Sequence, residues 1–205
     1  MKLKVCGMRE PQNIVSLGAL QPDYMGFIFW APSSRYVAST TPTLPNTIKK
    51  TGVFVDASID YIQSMVNEHA LQAVQLHGEE TPNYCTLIQE FKVEVIKAFS
   101  IQDHFDFSSL EPYEKSCDFF LFDTKGELPG GNGYGFDWSI LSGYPSTKPF
   151  FLSGGIGQEH LAEIKALLNT DLPLYAIDVN SKFELAPAQK NIEALIQFKN
   201  EVYEL

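Results

Sequence analysis

Eight short apolar runs recur along the chain at nearly even intervals, and this rhythm constrains the fold more than any other feature. They fall at residues 3–6, 24–29, 51–55, 73–76, 94–98, 119–123, 150–153 and 175–179. With their ends placed at Cys6, Phe29, Phe54, Leu76, Ala98, Asp123, Ser153 and Asp178, successive ends lie 22 to 30 residues apart. Such an interval holds one strand and one helical return, the connection that parallel neighbours need. Runs such as Phe119-Phe120-Leu121-Phe122 are apolar throughout rather than alternating, as expected of strands covered on both faces.

The segments between the runs mostly read as helices. Residues 58–66 open on Ser58, a good helix cap, and put Ile59, Ile62 and Val66 on one face. Residues 159–168 carry Leu161, Ile164, Leu167 and Leu168 at helical spacing, and 188–198 repeat the pattern. Segments 41–50 and 101–111 have weaker periodicity and read as irregular. No linker or low-complexity tract divides the 205 residues, so one domain over 1–205 is expected. Eight strand–helix units suggest an α/β fold, a single (β/α)8 TIM barrel smaller than the usual ~250 residues. An open doubly wound sheet has the same local pattern, and periodicity does not separate the two.

Charge and cysteine content narrow the function. Fifteen basic against 25 acidic side chains give a net charge of −10 with no Lys/Arg run, which argues against nucleic acid and anionic membrane as partners. The longest apolar stretch, around 24–31, is far short of the ~20 residues of a membrane span, so a soluble cytoplasmic protein is expected. Three cysteines without a CxxC pair make a disulfide scaffold or a metal site improbable.

In a barrel, functional groups gather at the C-terminal ends of the strands. The first run ends in Cys6 and the sixth in Asp123, one nucleophile or base and one acid. Taken singly, each has a bland reading, a small buried hydrophobe for the thiol and a loop cap for the carboxylate. The seventh run leads into Ser153-Gly154-Gly155 and the eighth into Asp178-Val179-Asn180-Ser181. Loops after the last two strands are the recurrent phosphate site of such barrels, with glycines admitting a ligand close to backbone N–H groups. Gln75 and His77 close the fourth run, and Arg35 follows the second, where its planar fork suits a carboxylate. The glycine-dense stretch 129–135 reads as a mobile loop over the mouth.

In order along the chain, several motifs resemble phosphoribosylanthranilate isomerase, a (β/α)8 family of tryptophan biosynthesis. They are Lys4-Val5-Cys6-Gly7, Ser34-Arg35-Tyr36, Gln75-Leu76-His77-Gly78, Asp123, Pro129-Gly130-Gly131, Gly133, Phe136-Asp137-Trp138, Leu152-Ser153-Gly154-Gly155-Ile156, and Asp178 with Ser181. The family motif Val-Asp-Val-Ser-Ser-Gly-Val-Glu is altered here to Ile177-Asp178-Val179-Asn180-Ser181-Lys182-Phe183-Glu184, and Asn132 replaces a common Thr.

The resemblance implies an Amadori rearrangement of N-(5-phospho-β-D-ribosyl)anthranilate, with Asp123 as acid and Cys6 as base. It implies that Arg35 meets the anthranilate carboxylate and that His77 and Asp178 line the substrate site. Gly154, Gly155, Asn180 and Ser181 would hold the phosphate. No metal or organic cofactor is implied, the partner is a small phosphorylated substrate, and a monomer is the default. The apolar approach 119–122 should favour a neutral Asp123, and Arg9, if folded back, would favour a Cys6 thiolate. A non-catalytic phosphosugar-binding barrel and another phosphosugar isomerase or epimerase are the rival readings.

Overall fold

A computed structural model of the chain describes residues 1–124 and 137–204. The glycine-dense stretch 129–135 expected over the mouth lies outside the described residues. Eight strands, β1 (Lys2–Val5), β2 (Tyr24–Ile28), β3 (Lys49–Phe54), β4 (Ala73–Leu76), β5 (Glu94–Ile101), β6 (Phe119–Thr124), β7 (Phe150–Leu152) and β8 (Leu174–Val179), pair in chain order. All of these pairings are parallel, and β8 returns to β1 to close the barrel, which excludes the open sheet.

Side chains alternate across each strand, and the alternation sorts core from site. Leu3 and Val5 of β1 join the apolar layer under the helices, whereas Lys4 turns the other way to meet Asp178 and Cys6 lines the mouth. Similarly, Phe120 and Phe122 of β6 pack in the outer layer, while Leu121 points into the barrel and Asp123 opens onto the mouth. Tyr24, Ala73, Ile96, Ala98, Leu121, Phe151 and Ala176 form a second buried cluster that fills the barrel interior. The site therefore sits on a packed floor rather than over a pore.

Five returns are α-helices: α1 (Pro11–Leu20), α2 (Ile59–His69), α3 (Pro82–Gln89), α4 (Leu161–Leu168) and α5 (Ile192–Tyr203). Ser58 does cap α2, accepting from the Tyr61 N–H at 3.3 Å. The return after β2 has no helix. Those after β5 and β6 carry only 3₁₀ turns, Phe107–Tyr113 and Trp138–Gly143, among the described residues. Aromatic rings do the covering there. Phe105, Phe107 and Tyr144 meet Phe122 edge-on with centroids 6.1, 6.3 and 5.5 Å away.

The expected helix over 188–198 starts later than its apolar spacing suggests. Residues Glu184–Ala186 (β9) and Gln189–Lys190 (β10) form an antiparallel hairpin between β8 and α5. Ala188 has φ +68°, a left-handed conformation no α-helix admits, and Asn191 caps α5 through the Ala194 N–H.

Candidate active site

The nine residues given site roles by the resemblance all line one cavity at the C-terminal mouth, with an empty volume of about 690 Å³ including its open side. Cys6 arrives from β1, Arg35 from the loop after β2, His77 from the end of β4 and Asp123 from β6. Gly154 and Gly155 follow β7, and Asp178, Asn180 and Ser181 come from β8 and the turn beyond it. Neighbouring strands in a closed barrel carry these groups together although they are up to 175 positions apart in sequence.

Cys6 is buried, and its thiol sits against Gly26 of β2, where a methyl group would lie 2.7 Å from Sγ. Burial pushes the thiol above its ordinary value and the Asp178 carboxylate adds to that, while Lys4 and Lys190 pull it down. Arg9 plays no part: its guanidinium is engaged by Glu10 and by the Ser34 carbonyl. The cation beside the thiol is Lys4, two residues earlier on the same strand and therefore on the same face. Lys4 stands opposite Asp178 in the β1–β8 register and donates to its Oδ2 at 2.7 Å. Burial alone would lower the Lys4 ammonium, but Asp178 and Cys6 together hold it above its ordinary value. Burial raises the Asp178 carboxyl, with Lys4 opposing and the charge of Asp123 adding to the rise.

Asp123 is buried at the cavity wall, and His77 Nε2 lies 3.2 Å from its Oδ2, off the line of a hydrogen bond. The Gln75 amide, assigned with Nε2 as donor, reaches His77 Nδ1 at 2.8 Å, which puts the proton of a neutral imidazole on Nε2, facing Asp123. Gln75 Oε1, His77 Nε2 and Asp178 Oδ1 are buried without a hydrogen-bond partner among the described residues. Buried polar atoms are nearly always paired, so three orphans around one cavity mark where ligand hydroxyls would bond.

The phosphate half has a different character. Gly154 and Gly155 hold φ of +98° and +64°, and the N–H groups of Gly154, Gly155 and Ser181 donate to no protein acceptor among the described residues. A Cβ at Gly154 would strike Thr124 Oγ1 at 2.2 Å. The Asn180 side chain is engaged, its Oδ1 accepting from Lys190 Nζ at 2.6 Å, while its backbone N–H, the group expected to meet the phosphate, donates to no protein acceptor among the described residues.

Arg35 also reaches the cavity, with one edge of its guanidinium engaged. Nε and Nη2 donate to Glu184 at 2.9 and 2.7 Å, which leaves the Nη1–Nη2 edge without a protein partner among the described residues, a fork still able to meet a carboxylate. Lys4, Gly26, Glu184 and Lys190 are the site residues that sequence reasoning passed over. Among the described residues no three His, Cys, Asp or Glu side chains converge as a metal site.

Residues 3–201 match the family model described as N-(5'-phosphoribosyl)anthranilate (PRA) isomerase. A relative from Parabacteroides distasonis, named N-(5'-phosphoribosyl)anthranilate isomerase, is 43% identical over 98% of this chain and 93% of its own. The crystal structure of phosphoribosyl anthranilate isomerase from Thermus thermophilus superposes with a TM-score of 0.86 at 27% identity, covering 100% of this chain and 99% of that one. A phosphoribosyl anthranilate isomerase crystallised with reduced 1-(o-carboxyphenylamino)-1-deoxyribulose 5-phosphate gives 0.80 at 26% identity, covering all of both chains.

Proposed function

The chain belongs to the N-(5'-phosphoribosyl)anthranilate isomerase family, and from that membership we propose that Cys6 is the base and Asp123 the acid of its reaction. The enzyme rearranges N-(5-phospho-β-D-ribosyl)anthranilate to 1-(2-carboxyphenylamino)-1-deoxy-D-ribulose 5-phosphate in tryptophan biosynthesis. The observation that carries the assignment is placement: a buried thiol and a buried carboxyl from β1 and β6 line the same cavity as the unpaired N–H groups of Gly154, Gly155 and Ser181.

Asp123 gives its proton to the furanose ring oxygen, the C1′–O bond breaks, and the anthranilate nitrogen takes up the cation as an iminium at C1′. Cys6, as thiolate, removes the C2′ proton, and the electron pair left behind neutralises the iminium to an enolamine. Return of a proton to C1′ and loss of one from the C2′ hydroxyl give the ketone. The substrate's own nitrogen is the electron sink, so the chemistry calls for no added cofactor. An ordinary thiol, near 8.5, is mostly protonated at neutrality. Burial raises Cys6 further, and the pull of Lys4 and Lys190 opposes that rise in favour of thiolate without cancelling it.

The phosphate binds the backbone N–H groups of Gly154, Gly155, Asn180 and Ser181, and the anthranilate carboxylate meets the Nη1–Nη2 fork of Arg35. Asp178 and His77 present their unpaired atoms to the ribosyl hydroxyls. Every group assigned here comes from one chain, so a monomer is a sufficient working unit. Among the described residues no helix is long and apolar enough to cross a membrane, and we place the enzyme with its soluble substrate in the cytoplasm.

Freshly made phosphoribosylanthranilate is fluorescent, and its loss on adding the wild-type protein with a chelator present tests this reading. Turnover is expected. A protein that binds the ligand without consuming it would be a phosphosugar sensor instead.

A further inference from the structure

Glu184 and Lys190 sit on the two strands of the β9–β10 hairpin, beside the site; Glu184 has been given no role, and Lys190 only its pull on the thiol. Glu184 accepts from Arg35 through both carboxylate oxygens, from Lys190 Nζ at 2.6 Å and from the Ala188 N–H at 3.1 Å. Lys190 Nζ also donates to Asn180 Oδ1, and its backbone is locked by Asn13 in both directions, at 2.8 and 3.0 Å. The result is one unbroken chain of charged contacts from Arg35, at the carboxylate end, to Asn180, at the phosphate end. We propose that Glu184 and Lys190 are positioning residues: Glu184 fixes the plane of Arg35 so that its Nη1–Nη2 edge is left for the substrate carboxylate, and Lys190 holds the Asn180 turn that receives the phosphate.

Three observations support this beyond the contacts themselves. Both side chains are almost wholly buried, so the arrangement is built in rather than a chance surface pairing. Two cations share one carboxylate, leaving the cluster one positive charge in excess, which a buried site tolerates best with an anion in reach. Finally, Gly7, adjacent to Cys6, has φ +75°, and a Cβ there would lie 2.6 Å from Asn180 Oδ1 and 2.7 Å from Arg35 Cδ. The two arms therefore close over the residue next to the base, which ties both binding ends to the reacting centre. Where the family motif has Ser, this chain has Asn180; a Ser hydroxyl would be one atom shorter toward Lys190.

The proposal rests on the isomerase reading, and its test separates the two. Glu184→Ala is assayed with phosphoribosylanthranilate and with the analogue made from aniline, which lacks the carboxylate. KM for the first is expected to rise about tenfold while kcat stays within about threefold, and KM for the analogue to move less than about twofold. Glu184→Gln keeps the side-chain shape and an acceptor for Ala188, and gives the same split, smaller, if the alanine variant does not fold. Asn180→Ser, which cuts the Lys190 contact, raises the inhibition constant of inorganic phosphate about fivefold. Equal changes for both substrates, or none, would overturn the positioning role. If wild type left phosphoribosylanthranilate unchanged, the isomerase reading would fall and this inference with it.

Discussion

Lys4 Nζ lies 2.7 Å from Asp178 Oδ2, with both side chains closed off from solvent, two residues before the thiol on the same strand. This places a buried positive charge where a Cys6 thiolate must form. Since thiolate is the active form, kcat/KM rises with pH through the Cys6 titration, and burial sets that limb above the range of an ordinary thiol. Lys4→Met removes the attraction and moves the limb to still higher pH, with kcat/KM at pH 7 lower by about tenfold or more. Combining it with Asp178→Asn avoids an uncompensated buried carboxylate. A pH–rate profile unchanged by Lys4→Met would remove Lys4 from the activation of Cys6.

Gly26 is the counterpart of Cys6 on the neighbouring strand. A methyl at Gly26 would sit 2.7 Å from Sγ and 3.0 Å from the Cys6 Cα, so Gly26→Ala must displace the base or the strand. Overpacking of this kind costs about 1–3 kcal/mol. Urea unfolding is expected to show that loss, together with a kcat reduction larger than any change in KM.

Gly154→Ala tests the phosphate loop. The position has φ +98°, and the added Cβ would lie 2.2 Å from Thr124 Oγ1 and 2.8 Å from the Thr124 nitrogen. The loop must move, and the inhibition constant of inorganic phosphate is expected to rise about tenfold or more. Unchanged phosphate inhibition would place the phosphate elsewhere.

Asp23 ties β1 to the last helix, α5, at the opposite end of the barrel. It accepts from Lys2 at 2.8 Å, from the Leu3 N–H at 2.9 Å and from the Tyr203 hydroxyl at 2.7 Å. Burial alone would raise its carboxyl, but these donors hold it below the ordinary value. A depressed folded value means that the stabilisation is present above the unfolded value, about 3.9, and is lost as pH falls through the folded one. Asp23→Asn should lower urea stability at pH 7, with the difference from wild type vanishing in strong acid. A difference that persists there would mean that the carboxylate charge is not its source.

The barrel was legible because eight runs with even spacing leave few ways to pair, and because site residues in such a barrel stand at strand ends. Cys6, Asp123 and the Gly154–Gly155 pair could be found by that rule alone. Lys4 was equally visible in principle, since strand alternation puts it on the face of Cys6; the run was read for apolar content and its one charge passed over. Arg9, three residues beyond the thiol, turns to Glu10 instead. Glu184 and Lys190 were hidden for a different reason. The 188–198 segment has helical apolar spacing, and only the left-handed turn at Ala188 makes its start a hairpin that swings Lys190 under the site. The weak periodicity of 101–111 did foreshadow the missing helix after β5, whereas the turn that stands after β6 among the described residues had no such signal, because the aromatic rings that cover the barrel there carry no period.

The most direct test of the acid–base pair is turnover by Cys6→Ser and Asp123→Asn beside wild type, with inorganic phosphate inhibition measured on all three. Each substitution is expected to lower kcat by about a hundredfold or more, while phosphate inhibition stays within about twofold of wild type. Near-normal turnover by either variant would contradict the assignment of that residue.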